Sequence, residues 1–476
     1  MVFASPLFLF LFLPATIVAY FALPRRFRNA VLLVASVAFY TWGEARYVPL
    51  VLGSVAFNWW IGLRIAAASE PPARKRRLAA AVAANLAALA VFKYANFAVA
   101  NVDAIAPIFG LSPVALRAIP LPLGISFFTF HAISYVVDVY KRTAGAQRSI
   151  REFALYILLF PQLIAGPIIR YRDIAAQLVA RDANVSEFAY GVRRFVLGLG
   201  KKLLIANTLG ATADAIFALP GSELAAPLAW LGIACYTLQI YFDFSGYSDM
   251  AIGLMRMFGF RILENFNYPY IAGSIREFWR RWHISLSNWF RDYVYVPLGG
   301  NRAGTRRAYA NLIIVFLLCG LWHGASWPFV LWGAWHGLFL IVERAGLARH
   351  LERHRVVAHA YTLAVVVGGW VLFRCDSLAH ALDYYRALGG LSSAAPTLHP
   401  LGEYVNRLLL VTLAAAVAFA TPVATRIAAL RERAMHWPRA EPLVVTADGA
   451  WIAAVFVAAS AMLAAGTYNP FIYFRF

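Results

Sequence analysis

Charged residues are scarce in this chain: Asp, Glu, Lys and Arg make up only 14% of its 476 residues, whereas 61% are hydrophobic. Soluble globular proteins are about a quarter charged and about half apolar. Excess apolar residues could in principle fill a large soluble core, but their pattern along the chain argues against that. Apolar runs that approach the roughly 20 residues of a membrane span recur from residues 6–23 to residues 450–465. We therefore expect an all-α polytopic membrane protein with about 11–12 transmembrane helices.

Several common functional signatures are also missing. The three cysteines, Cys235, Cys319 and Cys375, lie far apart in apolar surroundings and suggest neither a disulfide framework nor a metal site. There is no Gly-rich phosphate loop ending in Lys-Ser or Lys-Thr, and no Gly-x-Ser-x-Gly elbow. These absences exclude the usual ATP-driven and serine-hydrolase functions. Because no His/Glu pair has the helical spacing of zinc ligands in a plausible site, we expect no metal site.

Acidic residues are few as well, 23 against 43 Lys and Arg, which leaves a net charge of +20. The polar basic face that binds nucleic acid is absent, so no nucleic-acid partner is expected. Most basic residues instead fall in alternate loops, as the positive-inside rule predicts for a multi-pass protein. With the N-terminus taken as outside and about twelve spans assumed, both termini fall on the outer, periplasmic side. The basic inner loops are residues 24–28, 64–77, 141–151, 170–202, 256–307, 344–355 and 426–439.

The middle of the chain differs from its two ends. Residues 1–118 and 346–476 have the pattern of plain spans, whereas the apolar segments of residues 119–345 carry polar, aromatic and glycine residues. The segment Phe160–Pro167 contains two helix-breaking prolines and is expected to be re-entrant rather than spanning. Irregular backbone at membrane depth is tolerated only beside protein or a water-filled cavity. We therefore predict one membrane domain, residues 1–476, whose central part encloses a cavity.

The first candidate for chemistry is His323, which follows an apolar run and stands between Trp322 and Gly324. Ionisable groups inside a membrane are costly and usually functional. Burial keeps an imidazole neutral, and a neutral imidazole can accept a proton. Gly324 leaves room for a substrate to approach. The alternative is a structural histidine that hydrogen-bonds a neighbouring helix.

A second cluster, Glu277–Asp292, combines arginines with aromatic residues in a predicted inner loop. One interpretation is an interfacial amphipathic helix with no further role. The other is a docking surface for an anionic cytosolic donor, because guanidinium groups match phosphate oxygens and tryptophans can stack on a base. His283 is the second candidate catalytic imidazole. The candidate donor-binding residues are Arg280, Arg281, Arg291 and Trp282.

Two carboxylates, Asp243 and Asp249, stand in the apolar segment Tyr241–Asp249, where they must be paired, protonated or hydrated. We favour ion pairs with cations of the Glu277–Asp292 cluster over direct catalysis. Ser245 is a further polar residue of this segment, for which a lining or structural role is expected.

A second Trp-His-Gly sequence ends at Gly337, thirteen residues after the first. Because a short motif is easily duplicated, we expect a packing role for its histidine, His336. His131 is alone on its segment, and we expect the same of it.

Three stretches resemble signatures of the bacterial membrane-bound O-acyltransferases: Tyr241–Gly253, Glu277–Ser287 and Gly320–Gly324. Within that family, the chain is similar to members that serve alginate O-acetylation. The stretches that carry this finer resemblance are Met1–Phe3, Gly299–Arg302 and Val371–Arg374. The resemblance covers most of the chain, and several motifs together are specific where one alone is not.

The resemblance implies an enzyme of the bacterial inner membrane. Its donor, usually acetyl-CoA, would enter a funnel on the cytosolic side and react through a narrow tunnel with a hydroxyl on the outer side. Acetyl-CoA is then a substrate, and no cofactor is expected. The family's essential histidine maps onto His323 and its second characteristic histidine onto His283. Besides membrane lipid, the implied partners are a periplasmic acetyltransferase or acetyl carrier and, downstream, an exopolysaccharide or cell-wall polymer.

This resemblance leads to a hypothesis for the mechanism. His323 acts as general base and draws the proton from the acceptor hydroxyl, which is typically worth about 10²–10⁴-fold in rate. Transient acylation of His323 is the alternative. His283 orients the donor or stabilises the developing oxyanion. The donor phosphates are expected near Arg280, Arg281 and Arg291.

Three other functions stay open at this point. One is D-alanyl transfer for teichoic acid, which would require a carrier protein as donor. Another is a proton-coupled transporter or flippase that uses the buried His and Asp residues as a proton relay. The third is a non-enzymatic scaffold, which would tolerate loss of both histidines.

Overall fold

Helices supply the regular secondary structure of the protein, as seen in a computed structural model that describes residues 2–114, 116–302, 304–437, 440–466 and 468–469. Within those residues there is no strand, which confirms the all-α prediction. Short π-helical and 3₁₀ segments extend or join the α-helices: Phe8–Phe12, Arg25–Phe27, Ala45–Tyr47, Ala90–Tyr94, Ala106–Phe109, Lys201–Ala206, Pro269–Ile271, Arg291–Tyr295 and Glu343–Leu347.

The chain divides into two compact units. The first contains the described residues of 1–192 and 251–263, and the second those of 193–250 and 264–476. Two helices, α10 (Val185–Gly200) and α12 (Ala226–Met257), contribute residues to both. The other helices of the first unit are α1 (Leu13–Ala22), α2 (Arg28–Glu44), α3 (Val48–Ala66), α4 (Pro71–Leu89), α5 (Ala95–Ile105), α6 (Ile125–Lys141), α7 (Ile150–Leu158), α8 (Phe160–Leu163) and α9 (Tyr171–Val179).

The second unit holds the segments with candidate chemistry. Its remaining helices are α11 (Asn207–Phe217), α13 (Ile275–Arg281), α14 (Ile284–Phe290), α15 (Thr305–His323), α16 (Trp327–Val342), α17 (Ala348–Leu351), α18 (Arg355–Arg374), α19 (Leu378–Leu388), α20 (Leu401–Tyr404), α21 (Arg407–Phe419), α22 (Val423–Met435) and α23 (Glu441–Ala464). The predicted single domain with its core at residues 119–345 stays a prediction.

Aromatic side chains form part of the core of the first unit. The rings of Phe8, Phe39 and Phe160 pack at centroid distances of 5.6 to 6.1 Å. Phe160 begins α8, a four-residue helix that follows a break at Leu159, with φ −50° and ψ 110°. All of α8 is buried, and it is too short to cross a bilayer. This geometry agrees with a re-entrant segment.

Four stretches of the described residues are long and apolar enough to cross a membrane: Arg25–Ala66, Pro71–Phe109, Arg355–Arg374 and Glu441–Ala464. A fifth crossing is added if α21 and α22, bent by 69° at their junction, form one span. The first stretch has 42 residues and contains both α2 and α3, which a non-helical Glu44 separates (φ −144°, ψ 43°). A straight helix of that length would measure about 63 Å, roughly twice the thickness of the hydrocarbon core.

The multi-pass membrane prediction is therefore confirmed, while the number of about 11–12 spans stays a prediction. Other helices do not qualify as spans by length and hydropathy alone. Some, such as α16, are short, and others, such as α12, carry charged residues: Asp243, Asp249 and Arg256. The predicted funnel and tunnel also stay predictions.

Helices α15 and α16 form a tight antiparallel hairpin that positions His323. A Cβ on Gly320 of α15 would overlap the carbonyl oxygen of Phe329, and one on Gly333 of α16 would overlap that of Phe316. The two backbones are therefore in direct contact. Because backbone atoms cannot move aside as a flexible side chain can, these glycines fix the distance between the helices.

Candidate active site

His323 is the last residue of α15, at the point where the chain leaves the helix. The next residue, Gly324, is extended, with φ −164° and ψ 147°. The imidazole is only 5% exposed, and its centroid lies 5.1 Å from that of Trp332 and 5.2 Å from that of Phe373. The helix end thus places this ring among aromatic side chains. The expected room for a substrate beside Gly324 is not there, because a Cβ on Gly324 would overlap the ring of Phe329.

His283 precedes α14 and has a left-handed backbone, with φ 44° and ψ 55°. This conformation is uncommon and strained for a residue with a Cβ. The ring is fully buried and meets Phe244 edge to face, with centroids 4.6 Å apart. His283 lies in the predicted inner loop and outside the candidate spans, and burial lowers its pKa to about 3. The imidazole is therefore neutral at physiological pH.

A buried polar network holds the His283 ring. Its Nδ1 lies 3.2 Å from Oδ1 of Asn265, which also accepts from the N–H of Ser285 at 3.1 Å and from its hydroxyl at 2.9 Å. The amide nitrogen of Asn265 donates to Ser248 Oγ at 3.0 Å. Within the described residues, Nε2 of His283 is buried and makes no hydrogen bond.

The indole of Trp322 links the two candidate catalytic histidines. Its centroid is 6.1 Å from the ring of His283 and 4.9 Å from the ring of His323. Residues forty positions apart in the sequence therefore lie against the same aromatic side chain. Trp322 thus brings the two candidate imidazoles together through contacts with a single indole.

His336 occupies a different aromatic environment, although it belongs to the same kind of motif. Its ring lies 5.1 Å from Trp279 and 5.1 Å from Trp332, and it stacks on Phe278 with an interplanar angle of 6°. It is fully buried, and neither ring nitrogen makes a hydrogen bond to the described residues. These surroundings favour the packing role predicted for it.

The candidate donor-binding residues are not equally available. Arg280 is exposed, Arg281 pairs with Glu277 at 2.8 Å, and Arg291 pairs with Asp292 at 2.7 Å. Burial alone would raise the pKa of Glu277, but hydrogen bonds from the Gly273 N–H and Arg281 lower it overall, so this carboxylate is ionised at neutral pH.

Trp282 is packed rather than free to stack on a ligand. It is 3% exposed, with the Phe278 ring stacked on it at 5.6 Å and the Trp370 ring 4.9 Å away. The donor-binding assignment stays a prediction. Arg280 and Arg291 are its exposed members, and Arg291 also has a carboxylate neighbour in Asp292.

Asp243 and Asp249 do form ion pairs, but not with the cluster from which partners were expected. Lys202 pairs with Asp243 at 2.6 Å, whereas Arg194 and Lys201 pair with Asp249 at 2.6 and 2.7 Å. The expected pairing with arginines of the Glu277–Asp292 cluster is therefore wrong.

The reason is the packing of α10 against α12 within the second unit. A Cβ on Gly198 would lie 2.6 Å from the carbonyl oxygen of Gly246, so the two helices touch through backbone. This close approach aligns the cations that flank Gly198 with the two carboxylates. Ser245 lies on the same helix as the carboxylates; it is 1% exposed, and its hydroxyl has no hydrogen-bond partner among the described residues.

A family model for the membrane-bound O-acyltransferases matches residues 116–368, more than half of the chain and all the candidate site residues. The chain belongs to the membrane-bound O-acyltransferase family. This acyltransferase is therefore an enzyme, as predicted, and the resemblance on which that prediction rested is confirmed.

Curated relatives of this acyltransferase are named for alginate, peptidoglycan and teichoic acid. It is 45% identical to the probable alginate O-acetylase AlgI of Pseudomonas putida over the full length of both chains. It is 36% identical to the peptidoglycan O-acetyltransferase of Helicobacter pylori, over 86% of this chain and 84% of the relative. The teichoic acid D-alanyltransferase of Streptococcus thermophilus is more distant, at 29% identity over 48% of this chain and 58% of the relative.

Sequence reasoning missed two side chains that position the site of this acyltransferase. Glu343 accepts hydrogen bonds from the backbone N–H groups of Ile275 at 2.5 Å and Arg276 at 3.1 Å, which caps the start of α13. A single carboxylate at the end of the apolar run 327–342 was the available signal. No signal in the sequence pointed to Asn265, because its contacts with His283 and Ser248 depend on the fold and not on residue spacing.

Proposed function

We propose that this acyltransferase moves an acetyl group from cytosolic acetyl-CoA across the inner membrane to an acceptor hydroxyl on the periplasmic side. The product is an O-acetylated exopolysaccharide such as alginate, or another acetylated cell-envelope polymer. The observation that carries this proposal is a pair of buried imidazoles, His283 and His323, whose rings both contact the indole of Trp322. The identity to O-acetylating relatives supports the choice of acetyl as the acyl group.

His323 is the proposed general base. The oxygen of the acceptor hydroxyl attacks the thioester carbonyl while its proton passes to the imidazole, and the C–S bond then breaks. The thiolate of coenzyme A leaves and takes the proton from the His323 imidazolium, which restores the neutral ring. A positioned base of this kind typically contributes about 10²–10⁴-fold in rate. Acylation of His323 itself is the alternative route, and trapping an acyl-histidine would reveal it.

The donor is proposed to dock with its phosphates near Arg280, Arg281 and Arg291 at the cytosolic side. Arg280 is exposed, and the other two guanidinium groups have carboxylate neighbours that a phosphate would have to displace or share. The acceptor is proposed to be a periplasmic acetyltransferase or acetyl carrier, which then modifies the polymer. We place both termini in the periplasm; Met1 and residues 470–476 lie outside the described residues.

Complementation tests the proposal. Cells that lack their own gene receive the wild type, His323→Ala or the control His350→Ala, which changes an exposed histidine, at matched membrane levels. We expect polymer acetyl ester with the wild type and with His350→Ala, and none with His323→Ala. Full acetylation with His323→Ala would show that the imidazole is structural.

The donor separates acetyl transfer from D-alanyl transfer, which the 29% identity to a D-alanyltransferase keeps as the second candidate. Purified protein in lipid vesicles is given radiolabelled acetyl-CoA or a D-alanyl carrier-protein thioester. Label transfer from acetyl-CoA alone supports the proposal, and transfer from the carrier protein alone supports the rival. Label that crosses the membrane as intact donor would instead indicate a transporter.

A further inference from the structure

Asn265 stands at the centre of the network around His283, although nothing in its sequence context suggests a role. It lies in the loop between α12 and α13 and is fully buried. Its backbone carbonyl accepts from the N–H of Ile284 at 3.0 Å, so this one residue holds the start of α14 through main chain and side chain. A buried polar side chain needs such partners, because an unsatisfied amide leaves its desolvation cost uncompensated.

The orientation of the Asn265 amide follows from its partners. The backbone N–H of Ser285 can only donate, so the amide atom 3.1 Å from it must be the oxygen. The other amide atom, Nδ2, then donates to Ser248 Oγ. An exchange of the two amide atoms would place N–H against N–H at Ser285, which excludes the flipped orientation.

The same oxygen lies 3.2 Å from Nδ1 of His283. An oxygen can only accept, so Nδ1 must carry the proton of the neutral ring. Nε2 then has a lone pair and no hydrogen. The other described contacts of this ring, with Phe244, Trp322 and Ser285, involve no charged group.

We propose that Asn265 is a positioning residue that fixes the tautomer of His283, so that Nε2 meets the substrate as an acceptor of a hydrogen bond or a proton. The inference rests on the proposed function, because it takes His283 as a group that touches substrate. It also corrects one expectation: a neutral His283 in this tautomer has no N–H at Nε2 with which to stabilise an oxyanion.

Two substitutions of Asn265 separate the tautomer from simple packing. Asn265→Leu removes the acceptor, so the ring can take either tautomer, and we expect kcat/KM for acetyl-CoA to fall on the order of 10²-fold or more. Asn265→Asp keeps an oxygen opposite Nδ1, so it retains most of the activity at high pH. The matched control is Asn311→Leu, which removes another fully buried amide, one that donates to the carbonyls of Leu298 and Gly300.

The pH profile is a readout that a packing role would not change. A carboxylate at position 265 favours the imidazolium form and raises the pKa of His283. Because the acceptor must be neutral, the acid limb of the kcat/KM profile of Asn265→Asp should move to higher pH, while that of Asn311→Leu stays in place. An unshifted acid limb in Asn265→Asp would overturn the inference, even if Asn265→Leu failed to fold.

His283→Ala, measured beside these variants, distinguishes the two ways of failing. If His283→Ala keeps full activity, the proposed role of His283 fails and Asn265 has nothing to position. If His283→Ala is inactive while folded Asn265→Leu keeps its kcat/KM within about threefold, only the tautomer inference fails. If His283→Ala and Asn265→Leu both lose activity, and the acid limb of Asn265→Asp is shifted, the role of His283 and the tautomer inference are both supported.

Discussion

The same tripeptide, Trp-His-Gly, occurs twice in one helical hairpin with different results. In the first copy, His323 ends α15 and Gly324 is already extended. In the second copy, His336 lies inside α16, and its Nε2 is 2.9 Å from where a Cβ on Gly369 would stand. His323 lies at the end of a helix, next to extended backbone. His336 lies in the middle of a helix and packs against a neighbouring one. Position relative to the helix end, rather than the motif, distinguishes the catalytic candidate from the packed ring.

Of the substitutions in the two Trp-His-Gly motifs, replacement of His323 should cause the largest loss of acetyl transfer. We expect His323→Gln to lower acetyl transfer by about 10²–10⁴-fold, because an amide cannot act as general base. The matched variant His336→Gln should stay within about tenfold, since no proton transfer is assigned to it. Transfer of labelled acetyl from acetyl-CoA measures both. Equal losses in two folded variants would show that the motif acts as a unit.

The hairpin itself is tested by Gly333→Ala. A Cβ at Gly333 would overlap the backbone of Phe316, so α15 and α16 must move apart. Overpacking of this kind typically costs about 1–3 kcal/mol, and we expect a lower unfolding temperature in detergent together with reduced activity. Gly53→Ala is the control, because no atom lies within 4 Å of a Cβ there. An unchanged unfolding temperature in Gly333→Ala would show that the hairpin adjusts freely.

The enclosure of His336 is tested by Gly369→Ala. The new methyl would approach Nε2 of His336 too closely, and we expect a smaller destabilisation than that of Gly333→Ala, because a side chain can give way. His336→Ala in the same chain should relieve the clash. A double-mutant cycle on unfolding temperature should thus show non-additivity, which for contacting residues is about 0.5–3 kcal/mol. Strict additivity would contradict the described contact.

The smallest effect is expected from His336→Leu. The ring nitrogens of His336 have no hydrogen-bond partner among the described residues, so an apolar side chain of similar size removes no described hydrogen bond. We expect activity within about threefold of wild type and stability changed by less than about 1.5 kcal/mol. Acetyl transfer and thermal unfolding measure these quantities. A loss as large as that of His323→Gln would assign His336 to the reaction.

The helical, membrane-embedded character of the chain could be predicted because it depends on local composition. A run such as Tyr361–Phe373 is apolar over most of a span, and the bilayer leaves a helix as the available solution. His323 and His283 could likewise be selected, since each imidazole stands out among apolar or aromatic neighbours. Features of this kind depend on neighbouring residues in the sequence, so they can be predicted without knowledge of the fold.

The partners of the polar residues could not be predicted, because they depend on which helices touch. Asp249 pairs with Arg194 and Lys201, which are 55 and 48 residues away in the sequence, because α10 and α12 approach each other through glycine. Asn265 reaches His283 through a loop whose path has no periodic pattern. Contacts made across long sequence separations require the three-dimensional fold.

The left-handed backbone of His283 has a consequence for laboratory evolution. A non-glycine residue held there costs about 1–3 kcal/mol, and asparagine or glycine adopts this conformation more readily. If His283 acts in the reaction as proposed, a selection for heat resistance alone that accepts His283→Asn would yield stable but inactive proteins. Thermostable variants of this enzyme should be sought under simultaneous selection for polymer acetylation, with codon 283 left unmutated.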